Sequence, residues 1–550
     1  VITKPQKLDA LTSLRFFAAA MIVLVHSNPV FGSMSLADSL PLDQGVSFFF
    51  VLSGFILAYN YPVLVGEADI LTFLKARIAR IWPAHLAAIA LLVILTAHLN
   101  VGRESLSSAA FAAVANLFLF QSLIPVRKVF FAFNPVAWSI STEMFFYFAF
   151  PLLMAKSFFS WRFKLGLLAA VVILHLWFVA AWDIPFDSMS LKSASVEGLI
   201  YINPAVRVFE FFSGVLAYFG FTRLRPYVNY SELAFTVLEV GGIALTLVVM
   251  YYCLHLPAFI NQESGFGKII SFYLHKSGSF WMFAVLIMVF AFGKGGLTKL
   301  LSFKPMILLG EISFALYLVH RTVLEWYQIN AVYFEHLPQW SIVIGYWLLA
   351  LLVAYLLHKI IENPCRKLLI AFPKLTVAEV FKTLFTGRQG VYVALMTVII
   401  TAMLNLHVLL KLEPCPPVLC QKLAQQHPLS PPAVFGDYVE LTALHLSANE
   451  VELLFKVQQP LPIGYSVAVD VIAADGSTVE KTDTLILKAR YLMQGEQWLE
   501  RIKLPADSLK QGTKLGIAIH SKSIQLLNVS YPKMDNDGKR ALIDFAAIHK

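Results

Sequence analysis

The 550-residue sequence is poor in cysteine and in charge. Its four cysteines are too few for a disulfide framework. Charged residues make up 14% of the chain, against about a quarter in ordinary globular proteins, and hydrophobic residues make up 58%. That shortage of charge excludes a disordered chain, a nucleic-acid-binding domain and an ordinary soluble enzyme. The sequence also lacks a P-loop, a zinc-spaced His/Cys cluster, a Gly-rich dinucleotide turn and a Gly-x-Ser-x-Gly elbow. No metal and no resident cofactor are therefore expected. Solenoid repeats and low-complexity tracts are absent as well.

What abounds is long apolar runs, and the mean hydropathy is +0.69. Runs long enough to cross about 30 Å of hydrocarbon lie near 9–31, 44–64, 82–99, 138–155, 165–182, 204–222, 233–254, 277–293, 309–330, 340–361 and 390–411. The stretch 107–123 is a twelfth candidate, and loop charge argues against it. With the N-terminus inside and 107–123 not crossing, the inside loops hold Lys75, Arg77 and Arg80; Lys156, Arg162 and Lys164; Arg223 and Arg225; Lys294, Lys299 and Lys304; and Arg366, Lys367, Lys374, Lys382 and Arg388. Nearly every basic cluster then falls on one side, as the positive-inside rule requires. Were 107–123 to cross, the later clusters would face outward. The pattern predicts eleven spans, with 107–123 re-entrant or interfacial. The first run is expected to stay in the mature chain, since no small-residue cleavage site follows Asn28.

The formal charge is +9, and its excess is confined to the apolar part. Residues 412–550 hold 14 Lys/Arg and 15 Asp/Glu, and the rest hold 29 and 19. Composition changes at Pro414. Beyond it come short alternating runs, 451–457, 465–473, 483–489 and 514–520, with the turn Asp475-Gly476 among them. They predict a β-sandwich of about 100 residues, outside the membrane if eleven spans precede it. Cys415 and Cys420 flank the linker; they either pair in an oxidising compartment or stay free thiols.

Ionisable residues at membrane depth are costly, so each is a functional candidate. Arg15 and His26 lie in the first span, Glu143 in the fourth, Arg207 and Glu210 in the sixth, and His320 and Arg321 in the ninth. Arg77 and Arg80 sit on the segment entering the third. Counting along the spans sorts them into two groups. Arg15, Arg77 and Arg80 form an inner, wholly cationic group. His26, Glu143, Arg207, Glu210, His320 and Arg321 form an outer, titratable one. Guanidinium groups grip phosphate in a bidentate fashion, so the inner group suits a polyanionic ligand. A histidine near a carboxylate suits general-base work, with His26 as base and Glu143 as its orienting acid. Each has a plainer reading beside it. The arginines serve as positive-inside anchors, His26 as a helix–helix hydrogen bond, and Glu143 as a structural partner of an arginine. Arg207 and Glu210, three apart, form an intramembrane ion pair, and His320 and Arg321 sit at the interface. His85, His358 and Lys359, near span ends, read as snorkelling or interfacial.

Seven blocks in order resemble the membrane-bound acyltransferase-3 family, over about residues 8–370. They are LDALTSLRFFAAAMIVLVHS with Arg15 and His26, GVSFFFVLSGFIL (45–57), FLKARIARIWPAH (73–85) with its Arg-x-x-Arg, WSISTEMFFYFAFP (138–151), NPAVRVFEFFSGVLA (203–217), GEISFALYLVH (310–320) and ENPCRK (362–367). The resemblance implies a cytoplasmic acyl-CoA donor, usually acetyl-CoA as co-substrate, and an acceptor hydroxyl on the outer side. It also implies that His26, Arg15, Arg77 and Arg80 are essential. Some members carry an acid where this chain has Ser47. Several end in a serine-esterase-like domain, but residues 412–550 lack a Gly-Asp-Ser start, the nearest string being Phe-Gly-Asp-Tyr at 435–438.

The resulting expectation is an all-α membrane bundle of about eleven helices followed by an extracytoplasmic β-sandwich. Residues 1–370 form the acyltransferase-like unit, 371–411 a cytoplasmic linker and extra span, and 412–550 a non-catalytic tail. Tyr438, Tyr465, Tyr491 and Trp498 of that tail either stack on sugar rings or pack its core. The expected activity is O-acetylation of a surface polysaccharide, an exopolysaccharide or lipopolysaccharide, or of a lipid-linked sugar. The expected location is the bacterial inner membrane, with a cytoplasmic N-terminus. The partners are acyl-CoA, glycan and bilayer, with no nucleic acid. The alternatives are a transporter or flippase of a lipid-linked glycan or acyl group, and a glycan-binding scaffold anchored by the bundle.

Overall fold

The structure is a computed structural model. It describes residues 7–32, 39–96, 106–155, 160–186, 193–256, 260, 265–334, 337–371, 388–404, 417–447, 449–459, 465–485, 495, 497–521, 529–532, 534 and 540–545. The chain divides into two compact units, Val1–Trp326 with Gln339–Thr401, and Tyr327–Pro338 with Ala402–Lys550.

The first unit is helical. Its helices are α1 (Asp9–Phe31), α2 (Gly45–Asn60), α3 (Gly66–Thr96), α4 (Leu106–Leu117), α5 (Trp138–Met154), α6 (Trp161–Ala181), α7 (Pro204–Leu224), α8 (Glu232–His255), α9 (Gly265–Ser277), α10 (Phe280–Ala291), α11 (Gly296–Leu301), α12 (Lys304–Ile329), α13 (Gln339–Leu357), α14 (Asn363–Ala371) and α15 (Arg388–Leu404). Nine stretches among the described residues are long and apolar enough to cross a membrane. Two 17-residue helices, α5 and α15, occupy the two other positions expected from the sequence.

Local chemistry marks the helix ends. Asn203 caps α7, its Oδ1 accepting the Ala205 N–H at 2.9 Å, and Pro204 takes the first helical position where no donor is needed. Lys164 donates to the Leu152, Leu153 and Ala155 carbonyls at 2.6–3.2 Å, covering the orphan acceptors that end α5. Burial separates centre from rim. The spans containing α2 and α12 are 78% and 72% buried over their apolar windows, whereas α6 and α8 are 22% buried and present their side chains outward. Of the candidate residues, His320 and Arg321 lie on α12, and Arg207 and Glu210 on α7, whose span is 67% buried.

Two backbone approaches set the central packing. A Cβ on Gly54 of α2 would lie 1.9 Å from the Phe211 carbonyl oxygen, and one on Gly214 of α7 would lie 1.9 Å from that of Val51. This glycine pair lets α2 and α7 cross backbone to backbone. Similarly, a Cβ on Gly310 of α12 would lie 2.0 Å from the Thr12 carbonyl oxygen of α1.

Helices α1 and α12 touch at Thr12–Gly310 near their starts and at His26–His320 near their ends. They therefore run parallel. An even number of reversals separates them, as expected if 107–123 does not cross. Indeed α4 stops at Leu117 after 12 residues, and Leu119 (φ 59°) turns the chain back. Its end is tied down by Trp82 Nε1, which donates to the Leu117 carbonyl at 2.8 Å, and by His85 Nε2, which donates to that of Asn116 at 2.8 Å. His85 is fully buried in this contact, which corrects its reading as a snorkelling residue.

The second unit carries helix α16 (Pro417–Gln426) and two antiparallel sheets, β6-β3-β2-β1-β8 and β5-β4-β7-β9. The strands are β1 (Pro428–Phe435), β2 (Val439–Leu446), β3 (Glu450–Val457), β4 (Tyr465–Ile472), β5 (Thr478–Leu485), β6 (Gln497–Lys503), β7 (Lys514–Ser521), β8 (Val529–Ser530) and β9 (Ala541–Asp544). Alternation drives one face of each sheet into a shared core. Val451, Leu453 and Phe455 come from one sheet, and Val467, Val469, Leu515 and Ile517 from the other. A register shift between Leu441 and Ala443 turns Ala443 to the opposite face, against Cys420 and Leu423 of α16. The run expected at 483–489 begins earlier, in β5, and 486–489 lie outside the described residues.

Trp498 is fully buried and stacks on Phe455 at 4.6 Å, so it belongs to the core and is closed to a sugar. Tyr438 is partly buried against the same core. Tyr491 and the side chain of Tyr465 lie outside what is described. Cys420 is disulfide-bonded, Cys253 and Cys365 are free, and Cys415 lies outside the described residues.

Candidate functional site

Helices α1, α2, α3, α5, α12 and α14 of the first unit line a cavity of about 520 Å³, the main walls coming from α1, α2, α5 and α12. Each of those four contributes a stripe at helical spacing. Leu8, Thr12 and Arg15 come from the start of α1, and Phe49, Ser53 and Ile56 from α2. Ser139, Glu143 and Tyr147 come from α5, and Glu311, Phe314 and Tyr317 from α12. At one end stand Arg15, Arg77 and Arg80, together with Arg366 of α14. Arg77 is buried and fixed, with Nη2 donating to Tyr61 Oη at 3.3 Å and the guanidinium 5.4 Å from the Tyr61 ring centre. The side chains of Arg15, Arg80 and Arg366 donate to no protein acceptor among the described residues. Guanidinium groups gathered without acceptors suit an anion with several oxygens.

Sequence reasoning found three of these four arginines. Arg366 had been counted only as loop charge, and its place in a family-like block was the available signal. His358 had been read as interfacial. It is buried and lines the cavity, with Nδ1 donating to Glu362 at 2.8 Å and Nε2 accepting from Asn363 at 2.8 Å.

Glu143 also belongs with the arginines, which corrects its expected place beside His26. Its Oε1 accepts from Ser53 Oγ at 2.9 Å and from Tyr147 Oη at 2.6 Å, and its charge acts on Arg15. The charged neighbours of His26 are Arg321 and Lys276 instead. Glu143 stands five residues into α5 and lines the cavity.

His26 is eleven residues beyond Arg15 on α1. That is about 16 Å of rise and only about 20° of rotation, so both face the same side of the helix. Its partner is His320 of α12, with His26 Nδ1 2.8 Å from His320 Nε2 and the rings stacked at 5.2 Å. Backbone acceptors fix the proton positions. His320 Nδ1 lies 2.8 Å from the Tyr317 carbonyl oxygen and 3.2 Å from that of Leu316. A carbonyl only accepts, so His320 carries its proton on Nδ1 and leaves Nε2 as an acceptor. His26 must then donate from Nδ1, and its own Nε2 keeps a lone pair. His26 thus presents a defined basic atom, held by a second, fully buried imidazole, an arrangement chemically suited to accepting a proton.

Around it, cations are paired. Lys276 meets Asp43, and Arg321 Nε lies 3.3 Å from Glu325 Oε1. Arg207 and Glu210 are both fully buried, 2.6 Å apart. Arg207 also donates to Ser277 and, at 3.2 Å, to Ser47, and it lies between the Phe50 and Tyr201 rings at 5.0 and 5.1 Å. It ties α2, α7 and α9 together, which is the structural ion-pair reading. Sequence patterning missed Asp43 and Lys276, which meet across 233 residues. The described residues hold no cluster of three or more His, Cys, Asp or Glu able to bind a metal ion.

The acyltransferase-3 family model, described as an acyltransferase domain, matches residues 8–359. Acyltransferase MdmB of Streptomyces mycarofaciens is 27% identical over 397 residues, which is 66% of this chain and 92% of that protein. O-acetyltransferase OatA of Staphylococcus aureus is 25% identical over 380 residues, 66% of this chain and 58% of that protein, so the match spans little more than half of OatA. Protein 2 in picA locus of Rhizobium radiobacter is 38% identical over 90 residues, 16% of this chain and 45% of that protein. No solved structure matches the chain at a significant level. The match covers the imidazole pair and most of the cavity lining, Glu362, Asn363 and Arg366 lying just beyond it, and the chain belongs to the acyltransferase-3 family.

Proposed function

We propose that the protein is a membrane O-acyltransferase that takes an acyl group, acetyl in the simplest case, from cytoplasmic acyl-CoA. It passes that group to a hydroxyl of an extracytoplasmic or lipid-linked glycan. The observation carrying this reading is the pairing of His26 with His320 on the same face of α1 that presents Arg15 to the cavity. Arg15, Arg77, Arg80 and Arg366 would hold the phosphates of the donor, and its arm would extend along the cavity towards the imidazoles. Loop charge supports a cytoplasmic position for the arginine end and an extracytoplasmic one for the His26 end. Eleven crossings, counting α5 and α15, would leave residues 412–550 outside the inner membrane as a non-catalytic domain that positions glycan or a partner.

His26 Nε2 accepts the proton of the acceptor hydroxyl as its oxygen bonds to the thioester carbon. The carbon–sulfur bond breaks, and the proton passes to the departing thiolate. His320 Nε2 accepts the hydrogen bond that steadies the imidazolium formed in between. An acyl-histidine relay uses the same atoms in two steps. Glu143 organises the donor cavity through Ser53 and Tyr147.

One feature bears on the transporter alternative. The span Gly265–Ala291 is interrupted between α9 and α10, and interrupted helices line substrate sites in transporters. Here the carbonyls at the break are taken by side chains: Gln44 donates to Leu274 and His275 at 3.1 and 2.8 Å, and Ser47 to Lys276 at 3.4 Å. That supports a structural joint in place of an ion site. Purified protein in detergent, given labelled acetyl-CoA and glycan, should transfer label without two compartments, and the His26→Ala variant should not. Movement of label only across a sealed bilayer, with no ester formed, would replace this reading with transport.

A further inference from the structure

Tyr317 stands where the donor cavity ends. Its hydroxyl lies 2.7 Å from Ser139 Oγ and 3.1 Å from the Val136 carbonyl oxygen. Ser139 itself donates to that carbonyl at 3.0 Å, so the three groups close a triangle. The Tyr317 ring meets Phe49 edge-on at 6.1 Å, and only 6% of the residue is exposed. On the other side, the Tyr317 carbonyl accepts from His320 Nδ1, and the two rings are 6.0 Å apart. The cavity lining includes Tyr317 but neither His26 nor His320. One residue therefore walls the cavity with its side chain and fixes the imidazole tautomer with its backbone.

We propose that Tyr317 is the stop that sets acyl-chain length, admitting an acetyl-sized group to the end of the cavity and turning longer chains away. This rests on the acyl-CoA reading of the cavity. An aromatic wall with two hydrogen-bond partners and a packed neighbour yields poorly to added volume, so each methylene pressed against it weakens binding. The wall is a side-chain property. Truncating it leaves the backbone carbonyl that orients His320 in place.

The test is equilibrium binding of CoA, acetyl-CoA and hexanoyl-CoA to the purified full chain in detergent. The wild type should bind hexanoyl-CoA about tenfold or more weaker than acetyl-CoA, within the range a close-fitting pocket discriminates. Tyr317→Ala should shrink that ratio about tenfold. Tyr317→Phe, which keeps the ring and loses the hydroxyl that anchors it to Ser139 and Val136, should fall between and remains informative if the alanine variant folds poorly. A wild-type ratio near one, or a ratio unchanged in variants that still bind CoA, overturns the assignment to Tyr317 alone. Failure of the wild type to bind CoA or acetyl-CoA overturns the donor reading, and this inference with it.

Discussion

The Arg15 and His26 ends of α1 hold similar numbers of cationic side chains but treat them differently. At the Arg15 end, Arg15, Arg80 and Arg366 donate to no protein acceptor among the described residues. At the His26 end, Lys276, Arg321 and Arg207 each have a carboxylate partner. Glu143 and Glu362 act on Arg15 without a direct ion pair among the described residues, so these guanidinium groups keep donors for a ligand that brings negative charge, whereas a cation already in an ion pair favours a neutral ligand. The difference fits a phosphorylated donor at one end and an uncharged hydroxyl at the other.

Substitutions can break or sharpen this contrast. The largest effect is expected for His26→Ala, where loss of the basic Nε2 should lower acyl transfer about a thousandfold or more. Transfer from labelled acetyl-CoA measures it, and His320→Ala should show a smaller loss with the same donor affinity. Next comes Arg207→Ala, which strands the buried Glu210 charge and should destabilise the unit by about 3–5 kcal/mol. Thermal unfolding in detergent reads this out. An Arg207→Met, Glu210→Leu double variant should recover much of it, and a double variant as unstable as the single one would count against a structural role.

Arg80→Ala and Arg366→Ala should each weaken acyl-CoA binding about ten- to a hundredfold, the value of a charge-assisted hydrogen bond. Each should also flatten the salt dependence of binding while leaving turnover at saturating donor largely intact. The smallest effect is expected for Lys299→Ala. Its pair with Glu232 is close, at 2.5 Å, but the two side chains are 65% and 53% exposed. Its loss should cost under about 1 kcal/mol and change neither binding nor transfer.

Much of this organisation was legible in the sequence, because hydrophobic runs and loop charge are local signals. They located the helices of the first unit and kept 107–123 from counting as a crossing, which the parallel run of α1 and α12 supports. Arg15, Arg77, Arg80 and His26 stood out as charges in apolar runs. What stayed hidden is which faces meet. His320 was visible as a polar residue, but its bond to His26 spans 294 positions and leaves no local trace. Glu143 was given the wrong partner, because depth along a helix does not say which cavity its face lines. Arg366 looked like loop charge and His358 like span-end polarity, since only the packing of α14 and of the preceding turn, His358–Glu362, against α3 brings them to the arginines.

The central claim is that donor binding and proton transfer belong to opposite ends of one helix, α1. Acetyl-CoA affinity and acyl transfer, measured together on His26→Ala and Arg80→Ala, test it most directly. His26→Ala should bind acetyl-CoA within about twofold of wild type yet transfer nothing detectable, whereas Arg80→Ala should bind poorly and still transfer at high donor concentration. Loss of acetyl-CoA binding in His26→Ala, or unimpaired binding in Arg80→Ala, would contradict the division.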